Sequence, residues 1–415
     1  MITSPHYWIF LLIALGLSFL PVRIRTQSIG VLSFLFLFVL IDNVTQHSLT
    51  ETTTSIWSDL AKYSLIYWLI FWTVAFYYIP RINLPGFFTK FRSSTLLILG
   101  IILYLAHSKY LPDVLKTVAG ATPIASNIIP LGVSYFSFKL IHYLIEYNRG
   151  RFKEHTFLQF WTYISFFPIY TAGPIERFEN FLGTGVSADR KQDFIEGTTR
   201  IIYGLIKKFF ISGVVLTGLL NSHTGDSILQ RLDAIEHYKV WGFLILNYLI
   251  VYMDFSAYSD IAIGSARILG FRVAENFNWP ILASNVMLFW KRWHISLGSW
   301  CQSYVYMPTI GLTRQPYLAI ILTFLAIGVW HAGALNWAAW GIYHGVGVIG
   351  YRLWVKTSIR KKIASKTNVI TQALALLITN LWIAGSFAFT ATYTTGALSE
   401  LTDAIAIIRK CFFLY

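Results

Sequence analysis

Of the three histidines in the stretch from Trp290 to Gly345, two, His294 and His331, stand where they could do chemistry among apolar residues. An imidazole is the side chain that exchanges a proton near neutral pH. The first lies in Trp290-Lys291-Arg292-Trp293-His294-Ile295-Ser296-Leu297. The second ends the run Ala319 to Trp330, which carries no other ionisable group, and reads Val329-Trp330-His331. Ionisable residues among membrane-apolar segments are costly to place and mark functional sites. A buried imidazole can take a proton from a hydroxyl as that hydroxyl attacks a carbonyl, the general-base step of acyl transfer. A second imidazole can orient the acceptor or donate to the developing oxyanion. Metal binding is the competing chemistry, disfavoured because a third ligand at matching spacing is missing and carboxylates are scarce nearby.

The run Met253 to Gly264 is the second anomaly, since Asp254 and Asp260 end an apolar stretch. Asp254 and Tyr258 stand at i and i+4 and share a helix face. There they either hold a cation or a histidine from another helix, or cap and hydrogen-bond a bundle. Asn276, Phe277 and Pro280 then break the chain before the histidine segment.

These residues need elements to carry them. Lys291 and Arg292 would each cost about 2.5–3.5 kcal/mol at the centre of a lipid-facing helix, so their segment must line a cavity or lie at an interface. As one helix, Trp290, Trp293, Leu297 and Trp300 form an apolar stripe, with His294 and Arg292 offered to an interior space. Further on, Trp337, Trp340, Gly341 and His344 share a face, and Gly341 with Gly345 gives a small-xxx-small surface for close helix contact. His344 therefore reads as a packing residue.

The whole chain fits that setting. Of its 415 residues 55% are hydrophobic, 17% aromatic and only 13% charged, with a mean hydropathy of +0.57. Soluble domains carry about 25% charged residues, so the class is an all-α polytopic membrane protein. The formal charge of +14 does not imply nucleic acid, because the basic residues sit in short clusters between apolar segments, as cytoplasmic retention predicts. Cys301 and Cys411 exclude a disulfide framework and multi-cysteine zinc sites, and both read as small apolar residues.

Candidate spans of about 20 residues are 5–21, 28–43, 63–80, 93–108, 124–147, 157–172, 200–220, 239–264, 316–331, 333–354 and 368–391, about eleven, with 274–312 and 397–413 open. Arg23 and Arg25 follow the first apolar run, whereas a secretory signal has its charges before it, so the first helix is expected to leave the N-terminus extracytoplasmic. The threonine-rich loop from Asp42 to Lys62 then faces outward. Arg81, Lys90, Arg92, Arg149, Arg151, Lys153 and the run Arg352 to Lys366 face inward, while Lys109 and Lys116 run against the scheme. The polar region Gly173 to Arg200 is a cytoplasmic loop with short surface helices, a solvated connector or a partner-docking element. No polar linker separates two cores, so 1–415 is read as one domain: N-terminal helices 1–120, a core 121–350 and C-terminal helices 351–415.

At these residues the chain resembles the membrane-bound O-acyltransferase family. The parts that carry the resemblance run in family order from about 129 to 350: Ile129 to Tyr135, Gly173-Pro174-Ile175-Glu176-Arg177, Asp254 to Gly264, Gly270-Phe271-Arg272 with Glu275-Asn276-Phe277, Phe289 to Leu297, and Trp330-His331 to Gly345. The set is most similar to the bacterial branch that holds the alginate acetyltransferase subunit and the teichoic acid D-alanyltransferase. The resemblance implies a bundle of about eleven helices around a tunnel, with interfacial or re-entrant helices and a thioester donor approaching from the cytoplasm. It also matches His331 to the essential histidine and His294 to the second polar position. In two places the chain departs from the pattern: His331-Ala332 replaces a frequent histidine-glycine pair, and Gln302-Ser303-Tyr304 replaces a frequent arginine-aspartate-tyrosine set.

The expectation is an inner-membrane O-acyltransferase that moves acetyl, or alternatively D-alanyl, from a cytoplasmic thioester to a cell-envelope hydroxyl. The donor is acetyl-CoA or an acyl carrier protein, with no tightly bound cofactor. His331 is the expected general base and His294 assists. Arg292, Trp293, Asp254, Tyr258 and Trp330 shape the substrate site. No extracytoplasmic catalytic domain is read in these residues, which favours an extracytoplasmic or membrane-anchored acyltransferase partner. A proton-coupled transporter is the rival of another class; many such folds show internal repeats, and no repeat is visible here.

Overall fold

The computed structural model describes residues 2–48, 56–82, 90–119, 132–152, 154–183, 189–224, 232, 234–358, 368–394 and 401–412. Ile129 to Leu131 at the head of the resemblance, residues 49–55 of the threonine-rich loop, Lys153 and the basic run Arg360 to Lys366 lie outside the described residues. Helices dominate, and no strand occurs among the described residues. In chain order they are α1 (Pro5–Leu17), α2 (Val22–Ser48), α3 (Ile56–Tyr78), α4 (Lys90–Ala119), α5 (Val133–Asn148), α6 (Phe157–Ser165), α7 (Phe178–Gly183), α8 (Arg190–Leu205), α9 (Thr217–Thr224) and α10 (His237–Ile268). Next come α11 (Val286–Arg292), α12 (Ile295–Cys301), α13 (Met307–Thr313), α14 (Pro316–His331), α15 (Leu335–Val355), α16 (Val369–Thr394) and α17 (Leu401–Cys411).

Among the described residues, four helices are long and apolar enough to cross a membrane: Val22–Leu40, Arg190–Ser222, His237–Ile268 and Val369–Thr390. Shorter apolar helices are Pro5–Leu17, Ser93–His107 and Pro316–His331. One of the eleven apolar windows of the sequence, 157–172, is a broken helix. The 157–172 window is capped at its start by Thr156, whose hydroxyl accepts from the Gln159 amide at 3.3 Å while the Gln159 side chain accepts from the Thr156 amide at 2.9 Å. It stops at Ser165 and continues only as a single 3₁₀ turn through Phe167-Pro168-Ile169.

The chain forms two compact units, Met1–Ile202 with Asp260–Ala274, and Tyr203–Ser259 with Glu275–Tyr415. Two of the boundaries fall within the long helices α8 and α10, and the third in the loop that follows α10. In the first unit, α8 and the end of α10 run together. Gly197 and Gly264 face each other so closely that a Cβ on either would overlap the other's carbonyl oxygen, and Arg200 pairs with Asp260 at 2.9 Å. Arg267 pairs with Asp193 at 3.0 Å. In the described part of the segment 173–200, Glu176 and Asp193 are buried, and most of its second half is helix α8. Burial pushes the Glu176 carboxyl above its usual range, while the backbone N–H groups of Arg177 and Ala274 pull against it.

In the second unit α14 and α15 form an antiparallel hairpin with a glycine seam. A Cβ on Gly328 would overlap the Trp337 carbonyl oxygen, and one on Gly341 the Phe324 carbonyl oxygen. A Cβ on Gly345 would stand 2.9 Å from Ile321 Cδ1. Backbones can approach this closely only where side chains are absent, so the small-xxx-small reading holds. Helix α16 packs on α15 through the buried Asn336, which donates to the Phe389 carbonyl at 2.9 Å, and through Tyr343, which donates to the Trp382 carbonyl at 2.8 Å. Cys301 and Cys411 are free and buried.

Candidate active site

The segment expected to be one helix over Trp290 to Trp300 is two. Helix α11 is capped by Asn285, whose Oδ1 accepts from the Leu288 amide at 2.8 Å. It ends at Arg292, and α12 starts at Ile295. Between them His294 adopts φ +44°, in the left-handed region, where a non-glycine residue costs about 1–2 kcal/mol. The break turns the histidine away from the stripe that a continuous helix would make.

Asn276 holds this break. Its backbone carbonyl accepts from the Ile295 amide at 3.0 Å. Its side-chain Oδ1 accepts from Ser296 Oγ at 2.8 Å and from the Ser296 amide at 3.4 Å, and lies 3.0 Å from His294 Nδ1. Its Nδ2 donates to Ser259 Oγ at 3.2 Å. Two residues further along, the Asn278 amide donates to the Arg292 carbonyl at 2.9 Å. His294 is 4% exposed, its ring meets Phe255 edge-on at 4.7 Å between centroids, and its Nε2 has no hydrogen-bond partner among the described residues.

His331 is held differently. It is the last residue of α14 and exposed, with its ring stacked on Trp337 at 4.8 Å and near Trp330 at 4.6 Å and Trp340 at 5.6 Å. Trp340 also meets His344 at 4.6 Å, and Trp290 meets His344 at 4.9 Å.

His294, His331 and His344 line one cavity of about 200 Å³ within the second unit. Its walls are mostly apolar and aromatic, Trp293 among them, and α16 contributes Ser386 and Thr390. The other expected site residues lie outside this lining. Arg292 donates from Nη1 to the Leu282 carbonyl at 3.1 Å. Asp254 pairs with Lys208 Nζ at 2.5 Å and stands 3.5 Å from Ser212 Oγ, although Val251 and Phe255, its neighbours on α10, do line the cavity. Tyr258 lies one turn beyond on the same helix, half-buried. Trp330 meets the site at the His331 ring.

Sequence reasoning missed His344 as a cavity residue because its spacing fitted a packing face equally well. It missed Asn276 as the residue that fixes His294, reading it only as a helix breaker. Ser386 and Thr390 gave no signal, being ordinary residues of an apolar helix.

This cavity, with two histidines drawn from separate parts of one helical membrane chain, can be set beside known proteins. The model of the MBOAT, membrane-bound O-acyltransferase, family matches residues 24–394. The chain belongs to the membrane-bound O-acyltransferase family. It is therefore a multi-pass membrane protein of that family, as the apolar helices also indicate.

Among curated relatives, the chain is 32% identical over 288 residues to a protein of Pseudomonas aeruginosa named probable alginate O-acetylase AlgI, covering 64% of this chain and 53% of that one. It is 31% identical over 270 residues to the teichoic acid D-alanyltransferase of Bacillus subtilis, covering 60% of this chain and 65% of that one. A third similarity, 27% over 403 residues, is to the teichoic acid D-alanyltransferase of Streptococcus thermophilus and covers 91% of each chain. The chain spans about half the length of the alginate-related relatives it matches.

Proposed function

We propose that this family member is an O-acyltransferase that moves an acetyl group from a thioester donor to a hydroxyl of a cell-envelope polysaccharide or of a partner protein. The observation that carries the reading is the placing of His294 and His331 on one apolar cavity. His331 takes the proton of the attacking hydroxyl, whose oxygen bonds to the thioester carbonyl carbon. The carbon–sulfur bond then breaks, and the proton held by His331 passes to the departing thiolate. An imidazolium at His331 sits at the carbonyl end of α14, where a helix favours positive charge. His294, buried and neutral, offers Nε2 to a donor group on the substrate. Trp293 forms cavity wall, and Arg292, Asp254, Tyr258 and Trp330, outside that lining, shape the wider substrate site.

The donor is acetyl-CoA or an acyl carrier protein on the cytoplasmic side, in keeping with an N-terminus outside the cytoplasm. The final acceptor is reached through an extracytoplasmic or membrane-anchored partner. D-alanyl transfer is the second reading, favoured by the coverage of the Streptococcus thermophilus relative. Against it, the described residues lining the cavity include no Asp or Glu, so the ammonium of a D-alanyl group would lose water there without a counter-charge.

The test is His331→Ala in protein that still extracts as a monodisperse species. Acyl content of the envelope polymer should fall about 10²- to 10⁴-fold; undiminished acylation would falsify the reading. Supplying radiolabelled acetyl and D-alanyl thioesters to membranes in parallel decides the acyl group.

A further inference from the structure

Asn276 does more than break the chain. Its side-chain oxygen receives the backbone N–H of Ser296, and a backbone amide can only donate. That contact settles which end of the Asn276 amide is the carbonyl. The other end agrees, since Nδ2 donates to Ser259 Oγ at 3.2 Å. The same carbonyl oxygen lies 3.0 Å from His294 Nδ1. An oxygen with no hydrogen can be bonded there only if Nδ1 carries the proton. A neutral imidazole has one N–H, so His294 Nε2 is left with a lone pair.

We infer that Asn276 is a positioning residue that locks His294 in the Nδ1–H tautomer, making its Nε2 an obligate hydrogen-bond acceptor at the cavity. The inference rests on the acyltransferase reading for its consequence, although the tautomer itself does not depend on that reading. Three features hold the lock. Asn276 is fully buried, so no water competes for its carbonyl. The Ile295 amide bonds to the Asn276 backbone at 3.0 Å, which fixes the amide within reach. The left-handed backbone of His294 lets the ring reach back to Asn276, while His294 itself lines the cavity and its opposite nitrogen is buried with no hydrogen-bond partner among the described residues.

The consequence is a division of labour. Locked His294 cannot donate to an oxyanion, the role that spacing alone left open to it. It can only receive a hydrogen from the substrate: a hydroxyl of the acceptor or an amide of the donor's thioester arm. Proton uptake from the attacking hydroxyl then falls to His331, whose place at the carbonyl end of α14 favours the charge it would gain. A carboxylate in place of Asn276 would keep the tautomer but favour a second proton on His294, abolishing the acceptor.

The tautomer is read directly by ¹⁵N NMR on histidine-labelled full-length protein in lipid nanodiscs, with the His294 signals assigned by their loss in His294→Gln. Wild type is expected to show a protonated Nδ1 and an unprotonated Nε2. Asn276→Ala should shift the population toward protonated Nε2 and lower kcat about 10- to 100-fold, the usual cost of losing a residue that orients a reactive imidazole. Asn276→Asp should keep the tautomer, restore part of the rate at high pH and move the acid limb of the pH–rate profile upward. A protonated Nε2 in wild-type His294 overturns the inference whatever the variants do, as does an unchanged tautomer in Asn276→Ala. Because the spectrum is taken without turnover, a protein that transfers no acyl group would defeat the acyltransferase reading and leave the tautomer to be judged on its own signals.

Discussion

Two of the three histidines of the cavity, His294 and His331, are held by different contacts. His294 sits in a strained turn, tied through Nδ1 to a buried amide. His331 ends a helix, its ring set among the faces and edges of three indoles. Hydrogen bonds fix which nitrogen carries a proton; ring stacking fixes the plane of an imidazole and does not choose between its nitrogens. The difference gives the cavity one imidazole whose tautomer is set by a buried amide and one whose plane is set by its neighbouring indoles.

The comparison can be broken from the His331 side first. Gly341→Val would force α15 off the Phe324 carbonyl, at a cost of about 3 kcal/mol. Activity should collapse, and the unfolding temperature should fall, while the His294 NMR signals keep their wild-type tautomer because Asn276 and its partners lie off the seam. Loss of that tautomer together with activity would show that the two supports are one.

A smaller effect is expected from Trp337→Ala, which removes the stacked ring but keeps the backbone carbonyl that lies against Gly328. The rate should drop about tenfold through looser placement of His331, and Trp337→Phe should recover most of it. Equal losses in the two variants would mean the indole contributes something other than a plane. The smallest change is expected at Ser386, whose hydroxyl already donates to the Ile383 carbonyl at 2.7 Å. Ser386→Ala should alter KM by about twofold and kcat less, as measured by steady-state transfer at varied donor concentration.

Much of this architecture is legible in the residues. Apolar runs and basic clusters give the helical membrane class, and the cost of charge at depth singles out the Trp290–Leu297 and Trp330–His331 segments. Gly341 and Gly345 are readable because close helix contact has one solution, the absence of side chains. The break at His294 is not readable, because Lys291 to Ser299 carries no proline, and the glycine Gly298 lies beyond the turn. A residue held left-handed by a distant amide leaves no local trace. For the same reason Asp254 is drawn toward the histidines by its cost in a membrane, whereas Lys208, far along the chain, answers that cost with an ion pair.

The cavity's composition also sets an order of construction. Synthesis proceeds from the N-terminus, and the α14–α15 hairpin closes on its own glycine seam. His294, His331 and His344 can therefore be in place while the ribosome is still making α16. The wall supplied by Ile383, Ser386, Phe387 and Thr390 of that helix arrives last. Until α16 packs against Asn336 and Tyr343, the cavity lacks that wall, and its lining is complete only once this late helix has been delivered to the bilayer.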